Sequence, residues 1–399
     1  MTALARCYNI ADLREAAKRR LPKGVFEFVD RGSEDEVGLR NNRAGFERIK
    51  LRPRSLVDMS GRTMQTTLFG KPMGMPLAIA PTGAAGLCWY EGELELAKAA
   101  AAAKVPFTLA TGAMTSLEKI AKEAGGRLWM QLYLWNDRKL SYQLVERAER
   151  AGFEALILTV DTIVSPNREY NARNGFNLPF HPTPRAIADM VSHPRWLTGV
   201  LTRYLTTTGM PRYENLPEKF RSKITADPSQ KEITRQDTMT WDDLRRLRDL
   251  WPRVLMVKGI MRADEAVRAV EYGADAVIVS NHGGRNMDSA MASIDALPEI
   301  VEAVGDRATV ILDSGVRRGS DIAKALALGA KAVLVGRATL YGTAAGGEAG
   351  ALLALNLLRG ELDKVMAYTA CNTVDEIGPE ILYRPRDRNS LSAMGADGM

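Results

Sequence analysis

Cysteine and histidine are both scarce in this chain, with three of each in 399 residues. Cys7, Cys88 and Cys371 are odd in number, far apart and without CxxC pairing. That argues against a disulfide framework or a zinc site and suits a reducing cytoplasm, so no metal is expected. No GxGxxG stands at a strand-to-helix turn and no Walker A motif is present, which leaves a Rossmann-bound nicotinamide or a P-loop nucleotide unsupported. Long apolar runs are also missing. The longest uncharged window, Pro72 to Tyr90, is broken by Pro72, Gly74, Pro76, Pro81, Gly83 and Gly86, and reads as strand plus loop instead of a membrane span. Arg6, Asp12 and Arg14 occupy the place where a signal peptide would need an apolar core, so export is not expected. A net charge of +6 makes nucleic acid or an anionic membrane surface conceivable as a partner, but charge alone is weak evidence for either. No nucleic-acid partner is expected.

What the chain has is a rhythm. From Leu77 onward, short β-branched runs alternate with alanine-rich amphipathic stretches. The expected strands are Leu77 to Ala80, Phe107 to Ala110, Leu128 to Leu132, Ala155 to Val160, Val254 to Val257, Ala276 to Ser280, Thr309 to Leu312 and Ala332 to Val335. Helical stretches lie between most neighbours, among them Leu94 to Ala103, Ser116 to Ala124, Lys139 to Ala151, Ala263 to Tyr272 and Ser320 to Leu328. Eight such repeats predict an α/β fold, a (β/α)8 TIM barrel. The chain reads as one domain over 1–399: a lead-in over 1–75, a barrel over 77–176 and 239–375, and an insertion over 177–238. The lead-in is expected to hold helices over 9–20 and 22–30, a polar loop from Arg31 to Arg43, and extended chain to about Gly70.

Between the fourth strand and a helix near Trp241 to Trp251 lie about 80 residues, far more than a βα loop needs. Trp196, Val200 and Tyr204, beside Leu197, Leu201 and Leu205, form an apolar helical stripe there. Arg185 to Arg235 carries nine Lys/Arg against five Asp/Glu. Such a stripe in a basic segment can rest on an anionic bilayer, or pack on the barrel or a neighbouring subunit, and the sequence leaves both open.

Barrel active sites lie at the carboxyl ends of the strands. The run Ala276 to Asp288, AVIVSNHGGRNMD, delivers His282 and Arg285 to one such end, with Gly283 and Gly284 allowing a sharp turn. The other histidines, His181 and His193, each precede a proline in a poorly periodic region. The remaining strand ends carry Pro81-Thr82-Gly83, Thr111-Gly112, Gln131 and Tyr133, Thr159 and Asp161, Lys258, Asp313 with Arg317, and Gly336-Arg337. Two Gly/Arg loops after strands seven and eight predict a phosphate-bearing ligand.

The segments SNHGGRNMD, LDSGVRRGSD, VLVGRATLYG, MQLY, LTVD and VKG resemble the FMN-dependent L-2-hydroxy acid dehydrogenase and oxidase family across residues 9 to about 375. The resemblance implies FMN as cofactor and oxidation of a 2-hydroxy acid to a 2-oxo acid. In that family His282 would accept the substrate proton, with Asp161 steadying the imidazolium. Arg285 and Arg168 would hold the substrate carboxylate, Tyr133 would touch the substrate, and Lys258 would stabilise negative charge on the reduced flavin. Pro81, Thr82, Gly83, Ala110, Gln131, Thr159 and Ser280 would bind the flavin ring. Asp313, Ser314, Gly315, Arg317, Gly336 and Arg337 would take the ribityl phosphate side.

Three positions depart from the family pattern. Phe28, in Val25-Phe-Glu-Phe28, lacks a hydroxyl that many members use on the carboxylate. Ala110 replaces a common serine. Gly112 stands where glycolate oxidase has a bulky aromatic, which implies a substrate larger than glycolate, mandelate-like or lactate-like. Gly83 and the basic insertion resemble the membrane-bound bacterial dehydrogenases, implying a quinone-type acceptor and a peripheral site on the inner face of the cytoplasmic membrane. The family also suggests a tetramer. Alternatives are an oxygen-using oxidase, a Schiff-base phosphosugar aldolase or isomerase built on Lys258, and a non-catalytic docking protein.

Overall fold

The computed structural model describes residues 3–176, 180, 183–221, 223–225 and 237–383. All eight expected strands form: Leu77–Ile79 (β1), Phe107–Leu109 (β2), Leu128–Leu132 (β3), Ala155–Thr159 (β4), Val254–Ile260 (β5), Ala276–Val279 (β6), Thr309–Leu312 (β7) and Ala332–Val335 (β8). They pair in parallel, in chain order, and β8 closes on β1 with Leu334 opposite Ala78. The fold is a (β/α)8 barrel. Alternation along each strand makes two cores. Ala78, Trp129, Ile157, Met256, Ile278 and Leu334 fill the interior, while Leu77, Ile79, Met130, Leu156 and Val277 pack outward under the helices. A hairpin of Thr66–Leu68 and Lys71–Met73 contributes Leu68 and Met73 to the interior cluster, and Phe69 meets the Trp129 ring edge-on. This plugs the amino ends of the strands and leaves the carboxyl ends for chemistry.

Helices Ile10–Arg20 and Lys23–Asp30 form as expected, the first capped by Asn9, whose side chain accepts from the Asp12 N–H at 2.9 Å. The expected polar loop from Arg31 to Arg43 is helical from Val37 onward, and that helix, Val37–Arg48, also takes in the first residues of the expected extended chain. Its buried face is Gly38, Asn42, Gly45 and Phe46, a set whose small and polar members hide the periodicity. Close packing decides here. A Cβ on Gly45 would stand 2.6 Å from Ile294 Cγ2, and Arg43 pairs with buried Asp321 at 2.6 Å. After β8, helix Arg337–Thr369 is interrupted by non-helical backbone at Gly346 and Gly347, and it packs on Gly92–Ala103 and Ile10–Arg20.

Strand β5 runs three residues beyond its expected end at Val257, so Lys258 lies within the strand instead of after it. The register breaks between Lys258 and Ile260. Gly259 makes this possible: its φ is +107°, and a Cβ there would lie 2.5 Å from Asp161 Cβ.

In the insertion, Trp196, Val200 and Tyr204 are buried. Trp196 Nε1 donates to the Leu87 carbonyl at 2.6 Å, and Tyr204 Oη accepts from the Glu91 N–H at 3.0 Å. The centre of the stripe therefore packs on the loop after β1. Leu205 stays exposed, as do Ile187 and Val191 on helix Pro184–Val191, which buries no residue at all. His181 and, within 185–235, residues 222 and 226–235 lie outside the described residues. No helix among the described residues is long and apolar enough to cross a membrane.

Candidate active site

The carboxyl ends of the strands open into a cavity of about 640 Å³, within the range of small-molecule sites. All the sequence-predicted site residues line it except Asp161 and Ser280, and each of these is hydrogen-bonded to a residue that does. A larger groove of about 1140 Å³ runs along the lead-in helices to Arg317 and Arg318. Several of its cations are already paired, Arg14 with Asp30, Arg31 with Glu36 and Arg43 with Asp321, and His282 and Lys258 lie elsewhere.

His282 follows β6 in left-handed backbone, φ 56°, a conformation held by its N–H donating to Ser280 Oγ at 3.0 Å. Its Nδ1 lies 2.8 Å from Asp161 Oδ1 and 3.3 Å from Thr162 Oγ1, which leaves Nε2 as the free ring nitrogen. Asn286 braces the partner: its Nδ2 donates to the Asp161 carbonyl at 2.6 Å and to Thr162 Oγ1 at 2.9 Å. Burial pushes the imidazole pKa down against the pull of Asp161, with Lys258 and Arg285 adding to the fall. Burial alone would raise the Asp161 carboxyl, but His282 and Lys258 outweigh it and hold Asp161 below the usual carboxylate range. The pair rests as a neutral base beside an ionised carboxylate.

Lys258 is buried, its Nζ 2.9 Å from Ser280 Oγ and 3.1 Å from Asp313 Oδ2, and Ser280 Oγ donates to that same Asp313 oxygen at 2.6 Å. Burial works against the ammonium, yet Asp313 and Asp161 more than offset it and raise its pKa. A lysine held charged is unsuited to Schiff-base attack, which needs the free amine.

Arg285 Nη1 donates to the carbonyls of Phe28, at 2.7 Å, and Arg31, at 3.0 Å, with its guanidinium 5.3 Å from the Phe28 ring centroid. Arg337 donates to Val29, Gly283 and Arg31 carbonyls at 3.0, 2.8 and 3.0 Å. Gly283 makes room for it: φ is +69°, and a Cβ there would lie 2.7 Å from Arg337 Nη1. Arg168 is the N-cap residue of helix Glu169–Asn174 and reaches the same cavity.

Across β2 to β4 one network fixes the floor. The Thr111 N–H donates to Gln131 Oε1 at 3.1 Å, Thr111 Oγ1 to the Gln131 carbonyl at 2.7 Å, the Tyr133 N–H to Thr111 Oγ1 at 3.1 Å, and Gln131 Nε2 to Thr159 Oγ1 at 3.0 Å. Ala110, Gly112 and Pro81 to Gly83 form the adjoining wall. At the far rim stand Asp313, Ser314, Gly315, Arg317 and Gly336, where Ser314 Oγ accepts from the Gly283 N–H at 2.9 Å.

Sequence reasoning missed several contributors. Asn286 and Thr162 stand beside Arg285 and Asp161 in the sequence, and that adjacency was their only signal. Tyr213 and Leu216, which bring the insertion back onto the cavity, gave no signal, because nothing periodic or charged marks them.

Comparison with known proteins places this geometry. Residues 17–384 match the family described as FMN-dependent dehydrogenase. (S)-Mandelate dehydrogenase of Pseudomonas putida is 40% identical over 375 residues, covering 94% of this chain and 93% of that protein. L-lactate oxidase of a Nostoc species is 44% identical over 388 residues, covering 96% and 100%. The crystal structure of the monotopic membrane protein (S)-mandelate dehydrogenase superposes with a TM-score of 0.89 at 40% identity, over 95% of this chain and 100% of that one.

Proposed function

The chain belongs to the FMN-dependent dehydrogenase family and oxidises L-2-hydroxy acids; we propose that its substrate is an aryl or longer-chain acid, mandelate-like or lactate-like, whose electrons pass to a membrane quinone-type acceptor. The observation that carries the substrate reading is at Gly112. A Cβ built there meets no atom within 4 Å, and Trp135, Tyr213, Leu216 and Phe28 give the cavity apolar walls.

The residues present suit FMN. A buried ammonium at Lys258, the amide of Gln131 and the hydroxyl of Thr159 would face the polar edge of a flavin ring, with Ser280 behind and Pro81, Thr82, Gly83 and Ala110 along its side. Asp313, Ser314, Gly315 and Arg317, with the main chain at Gly336 and Arg337 where a long helix begins, would hold the ribityl phosphate. Bound there, FMN supplies the acceptor for the two electrons that leave the substrate.

The chain's own residues supply the rest. The Arg285 N–H groups not engaged by Phe28 and Arg31, together with the guanidinium of Arg168, hold the substrate carboxylate and fix its α-carbon, with Tyr133 beside them. His282 Nε2 takes the proton released during oxidation, and Asp161 Oδ1 balances the imidazolium that forms. Lys258 keeps its proton and places positive charge where electrons arrive. Phe28 offers a face in place of a hydroxyl, so carboxylate binding rests on the arginines.

Exposed Ile187, Val191 and Leu205, set among Arg185, Arg195 and Arg203, support the proposal of peripheral contact with an anionic membrane at its cytoplasmic face, and the mandelate dehydrogenase relative carries the description monotopic membrane protein. The oxygen-using alternative is favoured by the L-lactate oxidase relative. The family likeness supports a homotetramer, which sedimentation velocity checks. The deciding experiment mixes the yellow enzyme anaerobically with mandelate, lactate and glycolate, then admits oxygen or a quinone analogue. Bleaching fastest with mandelate or lactate and reoxidation fastest by quinone are expected. A preference for glycolate, or rapid reoxidation by oxygen, overturns the corresponding half.

A further inference from the structure

Asn215 is completely enclosed although it belongs to the insertion. Its Oδ1 accepts from the Leu117 N–H at 2.9 Å, and its Nδ2 donates to the Thr115 carbonyl at 3.2 Å. Leu117 opens the helix Leu117–Glu123, so this amide satisfies one of the first-turn N–H groups that a helix cannot pair internally. The preceding residue adds a third tie, the Glu214 N–H donating to the Ala113 carbonyl at 3.2 Å. Residues 214–215 are thus fastened to the loop after β2, which carries Gly112.

That loop is held on its other side as well. The buried Glu93 carboxylate accepts from the Met114 N–H at 3.1 Å, from Thr115 Oγ1 at 3.0 Å and from the Gly86 N–H at 3.1 Å, joining the loops after β1 and β2. The Ala84 N–H donates to the Gly112 carbonyl at 3.2 Å. Gly112 therefore stands on a fixed base, and the residues flanking Glu214 and Asn215, Tyr213 and Leu216, line the same cavity.

We infer that Asn215 is a positioning residue for substrate selectivity: by tying the returning end of the insertion to the loop after β2, it sets Tyr213 and Leu216 as the wall that sizes the substrate's side group. The inference rests on the reading that this cavity takes a 2-hydroxy acid with a bulky group. Removing the amide frees the Leu117 N–H and the Thr115 carbonyl from their partner and lets the wall shift, while leaving Arg285, Arg168 and His282 in place.

The test uses the full-length, flavin-loaded enzyme and two carboxylates that lack the hydroxyl and are not oxidised, phenylacetate and propionate, titrated by the change they cause in flavin absorbance. In Asn215→Ala the Kd of phenylacetate is expected to rise about tenfold and that of propionate less than about twofold, the scale on which an apolar pocket senses a methylene or two. KM for mandelate rises in step, kcat with lactate stays within about threefold, and the acid limb of the pH profile does not move. Asn215→Asp, which keeps the acceptor toward Leu117, lies between wild type and Asn215→Ala. Equal weakening of both carboxylates, or no weakening, overturns the inference. Should Asn215→Ala fail to fold, Asn215→Asp and Leu216→Ala take its place, and an unchanged phenylacetate-to-propionate ratio in both is the overturning result. Wild type binding propionate more tightly than phenylacetate instead defeats the aryl-substrate reading on which the inference rests, a result separate from the variant ratio.

Discussion

Arg285 and Arg337 donate to one and the same main-chain oxygen, that of Arg31, at 3.0 Å each. Their other acceptors include the Phe28 and Val29 carbonyls, so the carboxyl end of helix Lys23–Asp30, where unpaired carbonyls and the helix dipole favour cations, receives both guanidinium groups. Burial, with Arg285 close by, lowers the Arg337 pKa to about 10. The lead-in is thus a working part of the site, not an appendage to the barrel.

Replacing Arg337 by Met keeps much of the volume and removes every donor. The carbonyls of Val29, Arg31 and Gly283 lose this partner. Arg31 keeps Arg285, so two carbonyls, Val29 and Gly283, are left without this donor, and unfolding in urea is expected to show a loss of about 2 kcal/mol or more, since each buried group left unpaired costs about 1–3 kcal/mol. The Gly283 contact also steadies the residue after His282, so kcat/KM falls too. An unfolding midpoint equal to wild type removes the structural role given to this side chain.

The His282 and Asp161 pair fixes the direction of a pH effect. Only neutral imidazole accepts a proton, and burial puts its pKa below the ordinary 6.5, so kcat/KM rises with pH through an acid limb below 6.5. Asp161 is the neighbour that raises the imidazole pKa. Asp161→Asn therefore moves the limb to still lower pH while slowing kcat by about 10²- to 10⁴-fold, because the imidazolium loses its counter-charge. A limb displaced upward would contradict this electrostatic assignment.

Lys258→Met takes a buried positive charge from beside the expected flavin position and leaves the Asp313 carboxylate with Ser280 but without its cation. The bound flavin should then become harder to reduce, with a lower midpoint potential by dye equilibration, and substrate bleaching should slow by about 10²-fold or more. Binding of FMN should also weaken. A potential unchanged from wild type would place the ammonium away from the ring.

The strands were legible because short β-branched runs covered on both faces have few other uses, and the carboxyl-end rule then brought His282, Lys258, Arg285 and Asp313 to one rim. What stayed hidden was decided by contacts between distant segments. Helix Val37–Arg48 buries Gly45 against Ile294, Gly38 against the Asp288 carbonyl and Asn42 against Asn281, a face no hydropathy pattern reports. The Trp196, Val200 and Tyr204 stripe fits a bilayer or a protein surface equally well until Leu87 and Glu91 are seen to bond it. Asn286 lay inside a motif already singled out, yet its bracing of Asp161 needs residues 125 apart in sequence to meet.

In the proposed reading the size of the substrate turns on Gly112, where an added side chain has open space and the backbone φ is not positive, so substitution is sterically permitted. Gly112→Phe fills that space without straining the chain or touching the ties that hold the neighbouring loop on Glu93 and Asn215. The flavin, the arginines and His282 keep their places, so a small acid should still react. Relative to wild type, kcat/KM for mandelate is expected to fall by about 10²-fold or more while that for glycolate changes less than about threefold, since an overfilled pocket rejects only the group that needs the room. Steady-state rates for both acids under one condition decide it. Equal losses would mean that the bulk at this position disturbs the flavin or the loop itself, and mandelate retained at full rate would mean that the substrate's side group lies elsewhere in the cavity.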